Sequence, residues 1–415
     1  MGEAAIFPRV RADREREWAA ARLPAALASH GIARLELISD IAAAEPYWRA
    51  LEVSGVLTPY QRFDWVAGWQ RHVGAADDVS ALLITGFDAK GEPLFLLPLG
   101  VFPHGRSKIV RFLGGKHANY NFGPWRRDFT GDGTVLRALI DWLAETRPEL
   151  DAIELLNQPE SWDGLKNPLQ TLPHQSSPSD GFRLALSGTS DELLERVLSS
   201  SMRGRLRTKE RKLEKLPGYR HVRAKTEAEV ERYLEAFFAQ KKARLARAGI
   251  ENVFDYQGVR EFLSDACKNG LARENPAIEV HALDCDGEVL AIFAGVNDGR
   301  VFSSMFNSYT LTDHARHSPG MLLLTKVIRD CMARGVTVYD HGVGEAQYKS
   351  TFSDAPEPLF DSYFGLSPRG QALVAIAAAK STLKRWVKRS PKALQLALAL
   401  RRMVAGEKSS GGEAA

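Results

Sequence analysis

Two stretches of this chain carry the same order of apolar and polar positions. In the first, an apolar run over residues 81–87 meets the turn Asp88-Ala89-Lys90-Gly91, and a second run follows over 93–102. An Asp/Gly turn between two such runs predicts a β-hairpin. A third run over 108–113 leads to Gly114-Gly115 and then to the polar loop His117-Ala118-Asn119-Tyr120-Asn121-Phe122-Gly123-Pro124. Residues 134–146 place Leu136, Leu139, Ile140 and Leu143 at helical spacing, and 151–157 read as another strand. In the second stretch, runs over 277–283 and 289–296 flank the turn Asp284-Cys285-Asp286-Gly287, and a strand over 301–306 follows Asn297-Asp298-Gly299. A helix over 320–334 buries Leu322, Leu323, Val327 and Ile328 and closes at Gly335; 336–339 form a short strand. The β-turn-β-β-α-β order thus recurs roughly 190 residues apart with almost no residue identity, and a duplicated unit explains it. The fold class expected is α/β with mixed sheets, built as two similar domains in tandem.

The flanking segments read as connectors and helices. Tyr47, Trp48, Tyr60, Phe63, Trp65 and Trp69 mark a helical region over 46–74, and the Pro/Ser/Gln-rich stretch 158–180 reads as a linker. Between the two units, Ser190 is positioned to cap a helix over 191–200, a basic helix covers 202–216, and Pro217-Gly218 ends it. Thr226 with Glu229 forms a capping box for a long helix that runs to about residue 248. From Arg369 the pattern fits two amphipathic helices broken at Pro391, docked on the body or laid on a membrane surface. The expected divisions are a lead-in over 1–45, a first domain over 46–175, a second over 176–368 and a basic tail over 369–415, whose end is disordered by composition.

Composition narrows the class. Among 415 residues, 44% are hydrophobic and 26% charged, which are globular values. Only three cysteines occur, Cys267, Cys285 and Cys331, so neither a disulfide scaffold nor a cysteine zinc module is expected, and a reducing compartment fits. The charged start lacks the apolar core of a signal peptide, and no apolar run reaches the length of a membrane span. A cytoplasmic protein is expected, with the inner face of the membrane as the alternative site if the tail binds lipid. Net charge is only +4, yet residues 196–225 hold eleven Lys/Arg against two acids, and residues 369–402 hold nine against none. Segments of this kind attract phosphate-bearing partners, although solvated helix faces look the same.

The densest chemistry lies in Tyr339-Asp340-His341-Gly342-Val343-Gly344-Glu345-Ala346-Gln347-Tyr348-Lys349. A strand ending at Tyr339, two glycines and a helix opening near Glu345 would leave free N–H groups facing a turn. Asp340, His341 and Glu345 are candidate general bases, and Tyr348 and Lys349 can donate protons or positive charge. A strand-turn-helix with a capping Glu and a solvated Lys explains the same residues. A second feature is Arg316-His317-Ser318-Pro319-Gly320-Met321, where Ser318 can cap a helix, Pro319 suits its first position and Gly320 lets a phosphate approach. A third is the basic helix, with Arg203 and Arg207 four apart on one face, a spacing that suits phosphates. No Walker loop, Rossmann fingerprint, GxSxG or HExxH is present, and no metal site is expected.

Taken together, these stretches resemble the GNAT acyltransferase superfamily, more narrowly the CelD/BcsL-type acetyltransferases of cellulose and exopolysaccharide synthesis, which are relatives of the FemAB aminoacyl transferases. Thr58-Pro59-Tyr60-Gln61 with Trp65 and Trp69 resembles that family's TPFQ…W…W signature, and residues 93–99 followed by Arg111-Phe112-Leu113-Gly114 resemble LPL…RFLG. Ser201-Met202-Arg203-Gly204-Arg205-Leu206-Arg207 is similar to the Fem-like basic helix, and Ser318-Pro319-Gly320 with residues 339–349 to SPG…DFGxGxxxYK. His341 stands where relatives often carry Phe, and Arg316 to Gly320 depart from the usual GNAT phosphate loop. The resemblance implies tandem GNAT-like acyl-CoA N-acyltransferase domains with a C-terminal helical tail and no permanently bound cofactor. Acyl-CoA would be the co-substrate, its pyrophosphate held by Arg316, Ser318, Gly320 and Met321. It implies catalysis by Asp340, Glu345, Tyr348 and Lys349. Substrate would contact Arg203, Arg207, Asn119, Tyr120 and His341, with a small-molecule or saccharide acceptor entering between the domains. The first domain would be a degenerate copy shaping that cleft. Nucleic acid is expected only in the Fem-like alternative, where aminoacyl-tRNA is the donor; a non-catalytic scaffold is the third reading.

Overall fold

The computed structural model describes residues 23–390 and 392–393. In chain order, the first half contains β1 (Arg34–Ile38), α1 (Ile41–Ser54), α2 (Phe63–Trp69), β2 (Ser80–Phe87), β3 (Pro93–His104), β4 (Ser107–Phe112), α3 (Gly133–Thr146), β5 (Ala152–Pro159), β6 (Gln175–Ser176) and β7 (Gly181–Ala185). The second contains α4 (Ser190–Val197), α5 (Ser200–Leu213), β8 (Arg220–Arg223), α6 (Glu227–Ala248), α7 (Val259–Lys268), β9 (Glu279–Cys285), β10 (Glu288–Asn297), β11 (Val301–Tyr309), α8 (Pro319–Ala333), β12 (Val338–Val343), α9 (Gln347–Thr351) and β13 (Ala355–Glu357). Then come β14 (Leu359–Gly365) and α10 (Pro368–Arg389).

The expected α/β class with mixed sheets is what forms. The first sheet runs β1-β2-β3-β4-β5-β14-β6, and the second runs β8-β9-β10-β11-β12-β7-β13. The two orders match position by position. Each begins with an antiparallel meander whose hairpin turns lie where the Asp/Gly signals stand; at the first, Asp88 Oδ1 accepts from the Lys90 and Glu92 amides at 2.9 and 3.0 Å. In each, a helix then carries the chain over to a parallel strand, β4 to β5 and β11 to β12.

Both parallel pairs stop early. Pairing of β4 with β5 covers Ile109↔Ala152 and Val110↔Ile153, and pairing of β11 with β12 ends at Ser303↔Asp340. The strands continue past those points, so each sheet has a V-shaped opening at the C-terminal ends of its central strands.

Beyond the V the two halves exchange strands. The sixth strand of the first sheet is β14, which follows the second half, and the sixth strand of the second sheet is β7, which precedes that half's meander. The expected division at 175/176, with a second domain to 368, therefore cuts across the sheets: Leu359–Gly365 pairs with β5 through Tyr363↔Glu154. The expected linker 158–180 holds the short strands Ser161–Trp162 and Leu165–Lys166, the turn Pro168–Thr171 and β6. One apolar cluster crosses the boundary, where Trp65 of α2 meets Phe262 of α7 edge-on with ring centroids 5.3 Å apart. A second cluster lies under α4, α5 and α8.

Three local expectations need adjusting. The short strand at 336–339 starts later and runs on to Val343. Helix α4 is capped by Thr189, in a capping box with Glu192, because Thr189 is extended while Ser190 is already helical. The tail's first amphipathic helix is α10, docked on β5 and β14, whereas its expected second helix falls outside the described residues. Among the described residues no helix is long and apolar enough to cross a membrane.

Docking of α10 depends on a close approach. Ser367 caps the helix by accepting from the Gly370 amide at 3.0 Å, and a Cβ on Gly370 would lie 1.6 Å from the Asp151 carbonyl oxygen. Gly370→Ala should lift α10 off the sheet and cost about 1–3 kcal/mol, as overpacking does. Thermal unfolding together with amide exchange in 368–389 checks this; an unchanged midpoint and unchanged protection would refute it.

Candidate functional site

At the second V, the last paired residues hold the two halves together. Asp340 is fully buried on β12. Its Oδ1 accepts from the Tyr120 hydroxyl at 2.7 Å and from the Gly342 amide at 3.0 Å, and its Oδ2 accepts from Ser303. The Ser303 and Tyr60 hydroxyls are 3.1 Å apart, and Asn119 Nδ2 donates to the Tyr60 oxygen at 2.6 Å and to the Ser304 carbonyl at 3.1 Å. Tyr60, Asn119 and Tyr120 come from the first half; Ser303, Ser304, Asp340 and Gly342 come from the second. A buried carboxylate is tolerable here because three donors answer it. Burial, followed by the Asp340 charge, raises the Tyr60 and Tyr120 hydroxyls above the usual range, so both remain protonated donors. Gly342 is required: its φ is 77°, and a Cβ would fall 2.5 Å from Asn119 Nδ2.

Of the expected catalytic groups, Asp340 thus has both oxygens engaged by protein donors. The expected acceptor contacts Asn119 and Tyr120 are spent in the same clamp.

The other side of β12 is aromatic. His341 is buried among Tyr339, Tyr348 and Phe352. Its Nε2 lies 3.1 Å from the Phe352 carbonyl, and its Nδ1 has no partner. Burial drives its pKa down to about 3, so the ring is neutral and not poised as a base near neutrality. The Tyr339 hydroxyl is also buried and unpartnered.

The tips of the two diverging strands are each met by a lysine. Lys349 Nζ donates to the Val343 carbonyl at 3.0 Å, and Lys241 Nζ donates to the Asn307 carbonyl at 3.2 Å. Burial lowers Lys349 to about 8, partly opposed by Asp340; burial, helped by Arg244 and Lys349, lowers Lys241 to about 8. The Tyr348 oxygen accepts from Asn307 Nδ2 at 3.3 Å, and its hydroxyl is raised by burial. Glu345 is exposed, close enough to Lys388 of α10 to favour that lysine's charge. The structure therefore groups Tyr348, Lys349 and His341 at one opening, with Glu345 on its rim.

At the start of α8, Ser318 has φ 54° and caps nothing; its hydroxyl instead accepts from Lys209 Nζ at 2.6 Å. Helix α5 is held there by the Lys326–Glu210 pair at 2.6 Å. His317 is depressed by desolvation and then by neighbours that include Arg316, Lys212 and Lys209, with Arg316 Nε 3.4 Å from its Nε2, so three cations lie close to this helix N-terminus. Gly320 lies in its first turn, and Met321 packs against the second core cluster. Arg203 does not join them: its Nη1 donates to the Leu198 carbonyl at 2.8 Å and closes the end of α4. Arg207 is exposed on the outer face of α5. The sequence reading followed the Arg203–Arg207 row and missed Lys209 and Lys212, which share a face at i,i+3. It also missed Ser303 and Asn307, which carry no local signal, and took Tyr60 only as part of the Thr58-Pro59-Tyr60-Gln61 motif, without a role in the clamp.

Residues 200–350 match the family described as "Acetyltransferase (GNAT) domain". No curated protein matches the chain. Among solved structures, FemX is similar over 80% of this chain and 97% of its own, with TM-score 0.54 and 12% identity, a likeness of fold alone. The C-terminal domain of a putative lysylphosphatidylglycerol synthetase from Agrobacterium fabrum reaches TM-score 0.49 at 11% identity over 82% and 96% of the two chains. Saccharomyces cerevisiae N-myristoyltransferase with bound myristoyl-CoA reaches 0.42 at 11% over 85% and 82%. The last two carry no further weight. The match to a GNAT-type acetyltransferase domain thus falls on the stretch that carries the basic helix, the central strands of the second V and the Tyr-Lys pair.

Proposed function

We propose that this protein is an acyltransferase that moves an acyl group from coenzyme A to an amine or hydroxyl acceptor at the second V. The observation that carries this reading is the cationic ring around the N-terminus of α8, set beside diverging strands whose ends are met by Tyr348 and Lys349 of α9. Lys209, Lys212, Arg316 and the free Gly320 amide in the first turn of α8 suit a diphosphate. The buried, unpartnered Nδ1 of His341 and hydroxyl of Tyr339 suit the amides of a pantetheine arm, one accepting and one donating. Asp340, saturated and buried, shapes the cleft and does not face the acceptor, so Glu345 on the rim is the better base. Glu345 takes the acceptor proton, directly or through water, as the acceptor attacks the thioester carbonyl. The tetrahedral intermediate then collapses with cleavage of the C–S bond, and Lys349 returns a proton to the thiolate. An ammonium of pKa about 8 is well matched to a thiol leaving group. Tyr348 donates beside it.

A second reading keeps the fold and changes the donor to aminoacyl-tRNA. The exposed Arg205, Arg207, Arg211 and Lys215 on α5 have no carboxylate partner among the described residues, and the likeness to FemX is in keeping with it. RNA binding that falls steeply with salt would favour this donor. A role in polysaccharide synthesis, as in CelD/BcsL-type proteins, would be decided by the acceptor.

Acetyl-CoA at about 100 times its dissociation constant should stabilise the protein by about 2.7 kcal/mol. Lys209→Glu and Arg316→Glu should abolish the thermal shift while leaving the unliganded midpoint near wild type. No shift with any acyl-CoA would end the coenzyme A reading.

Lys349→Met should lower kcat by about 10²–10⁴-fold without unfolding the chain. Because the protonated amine is the active form, kcat should fall as pH rises above about 8 and Lys349 loses its proton. A rate that rises through that pH would show the neutral amine acting as base instead.

A further inference from the structure

We propose that the first V is a second ligand site, and that it takes a phosphorylated saccharide. Where β4 and β5 part, the sheet opens onto a cavity of about 650 Å³. That is within the range of small-molecule sites. Trp69, Phe102 and Tyr256 give it aromatic walls. Polar groups converge between them. Arg111 Nε donates to Glu154 Oε2 at 2.8 Å and its Nη2 lies 2.7 Å from the same oxygen, which leaves Glu154 Oε1 available. Asn121 Nδ2 donates to the Leu156 carbonyl at 2.8 Å, while its buried Oδ1 has no partner. A buried acceptor left unmade is costly, and a hydroxyl in the cavity would satisfy it. From the other side α10 contributes Lys380 and Lys384, one helical turn apart, neither paired with a carboxylate among the described residues. Asp77, Glu154 and Asp361 also line the cavity, but Glu154 is paired with Arg111 and Asp361 accepts from the Asn157 amide and the Ser177 and Ser381 hydroxyls, so the two unpaired ammonium groups beside aromatic walls and hydroxyl-binding groups fit a phosphate joined to a sugar.

The duplication shows why this is not another acyl-donor site. At α8 the helix N-terminus is open and ringed by cations. At α3, its counterpart, Asp132 occupies that position and accepts from the Thr134 and Val135 amides at 2.9 and 3.1 Å. A carboxylate there repels a diphosphate. The cations of the first V come from α10 instead, so its anion sits elsewhere relative to the sheet. The loop 117–121 joins the two openings: His117 and Asn121 line the first, and Asn119 and Tyr120 clamp the second. Helix α10 also reaches both, with Lys388 affecting Lys349. The proposal does not rest on the acyl-donor reading.

Binding of UDP-N-acetylglucosamine, glucose 1-phosphate, inorganic phosphate and acetyl-CoA, each measured by calorimetry and thermal shift on the full chain, tests it. At least one of the two phosphosugars should bind, and Lys380→Ala/Lys384→Ala should weaken it by about tenfold or more, the loss of one or two charge-assisted hydrogen bonds. Arg316→Glu should remove acetyl-CoA binding and leave the phosphosugar unaffected, which separates failure here from failure at the second V. Should the double lysine variant loosen α10, ligand-dependent exchange protection in 107–112 and 152–159 of the wild-type chain gives the answer independently. No phosphosugar binding, binding that survives the lysine changes, protection absent from those strands, or inorganic phosphate binding as tightly as the sugar phosphates would each overturn the proposal.

Discussion

The Asp340 carboxylate is the constraint around which the molecule is arranged. A charge on a central strand, cut off from water, persists only if donors are built around it. Here one of those donors, Tyr120, belongs to the other half of the chain, and a second tyrosine, Tyr60, lies against a third group, Ser303. The halves therefore cannot move apart without stranding a buried carboxylate. The same requirement sets the end of the β11–β12 pairing. Once Asn119 has taken the Ser304 carbonyl, β12 has lost that partner, and the V begins there.

Two sheets of matching order with exchanged strands give two openings with different chemistry. Each sheet keeps its meander, its parallel step and its gap. The difference lies at the helix that follows the meander. An open N-terminus with Lys209, Lys212 and Arg316 around it suits a phosphate; one closed by Asp132 does not. Because β7 and β14 each sit in the other half's sheet, neither V is completed by a contiguous stretch of chain. Helix α10 extends this arrangement, anchored on the first sheet through Gly370 and ending beside the second opening.

What the sequence made legible was whatever a few neighbouring residues decide. The hairpin turns, the Thr226–Glu229 capping box and the start of α8 at Pro319 all depend on groups within one turn of each other, and all form where the pattern places them. The end of β12 was misread because Asp340, His341 and Gly342 are poor strand formers. Asp340 and His341 stay in the strand because long-range partners answer the carboxylate, Tyr120 from 220 positions away in sequence among them. Ser318 had the composition of a cap, yet Lys209 takes its hydroxyl across 109 positions. Arg203 matched a phosphate row and instead closes α4. In each case a long-range partner outweighed the local preference, and spacing along the chain carries no record of such partners. The strand exchange was invisible for the same reason: β7 and β14 have ordinary strand composition, and only pairing says which sheet receives them.

The candidate acid is tuned by that same clamp. Burial alone would push Lys349 further toward the neutral amine, and Lys388 on α10 pushes the same way. Asp340 opposes both, so the net position near 8 is a balance struck between one group joining the halves and another on the docked tail. Lys241 of α6, bonded to the facing strand at the Asn307 carbonyl, is lowered in turn by Lys349. The proton affinity at the mouth of the second V is thus not a property of the Tyr348-Lys349 pair by itself. It depends on the halves being joined and on α10 being seated, and so the architecture that holds the chain together also sets the chemistry available at its opening.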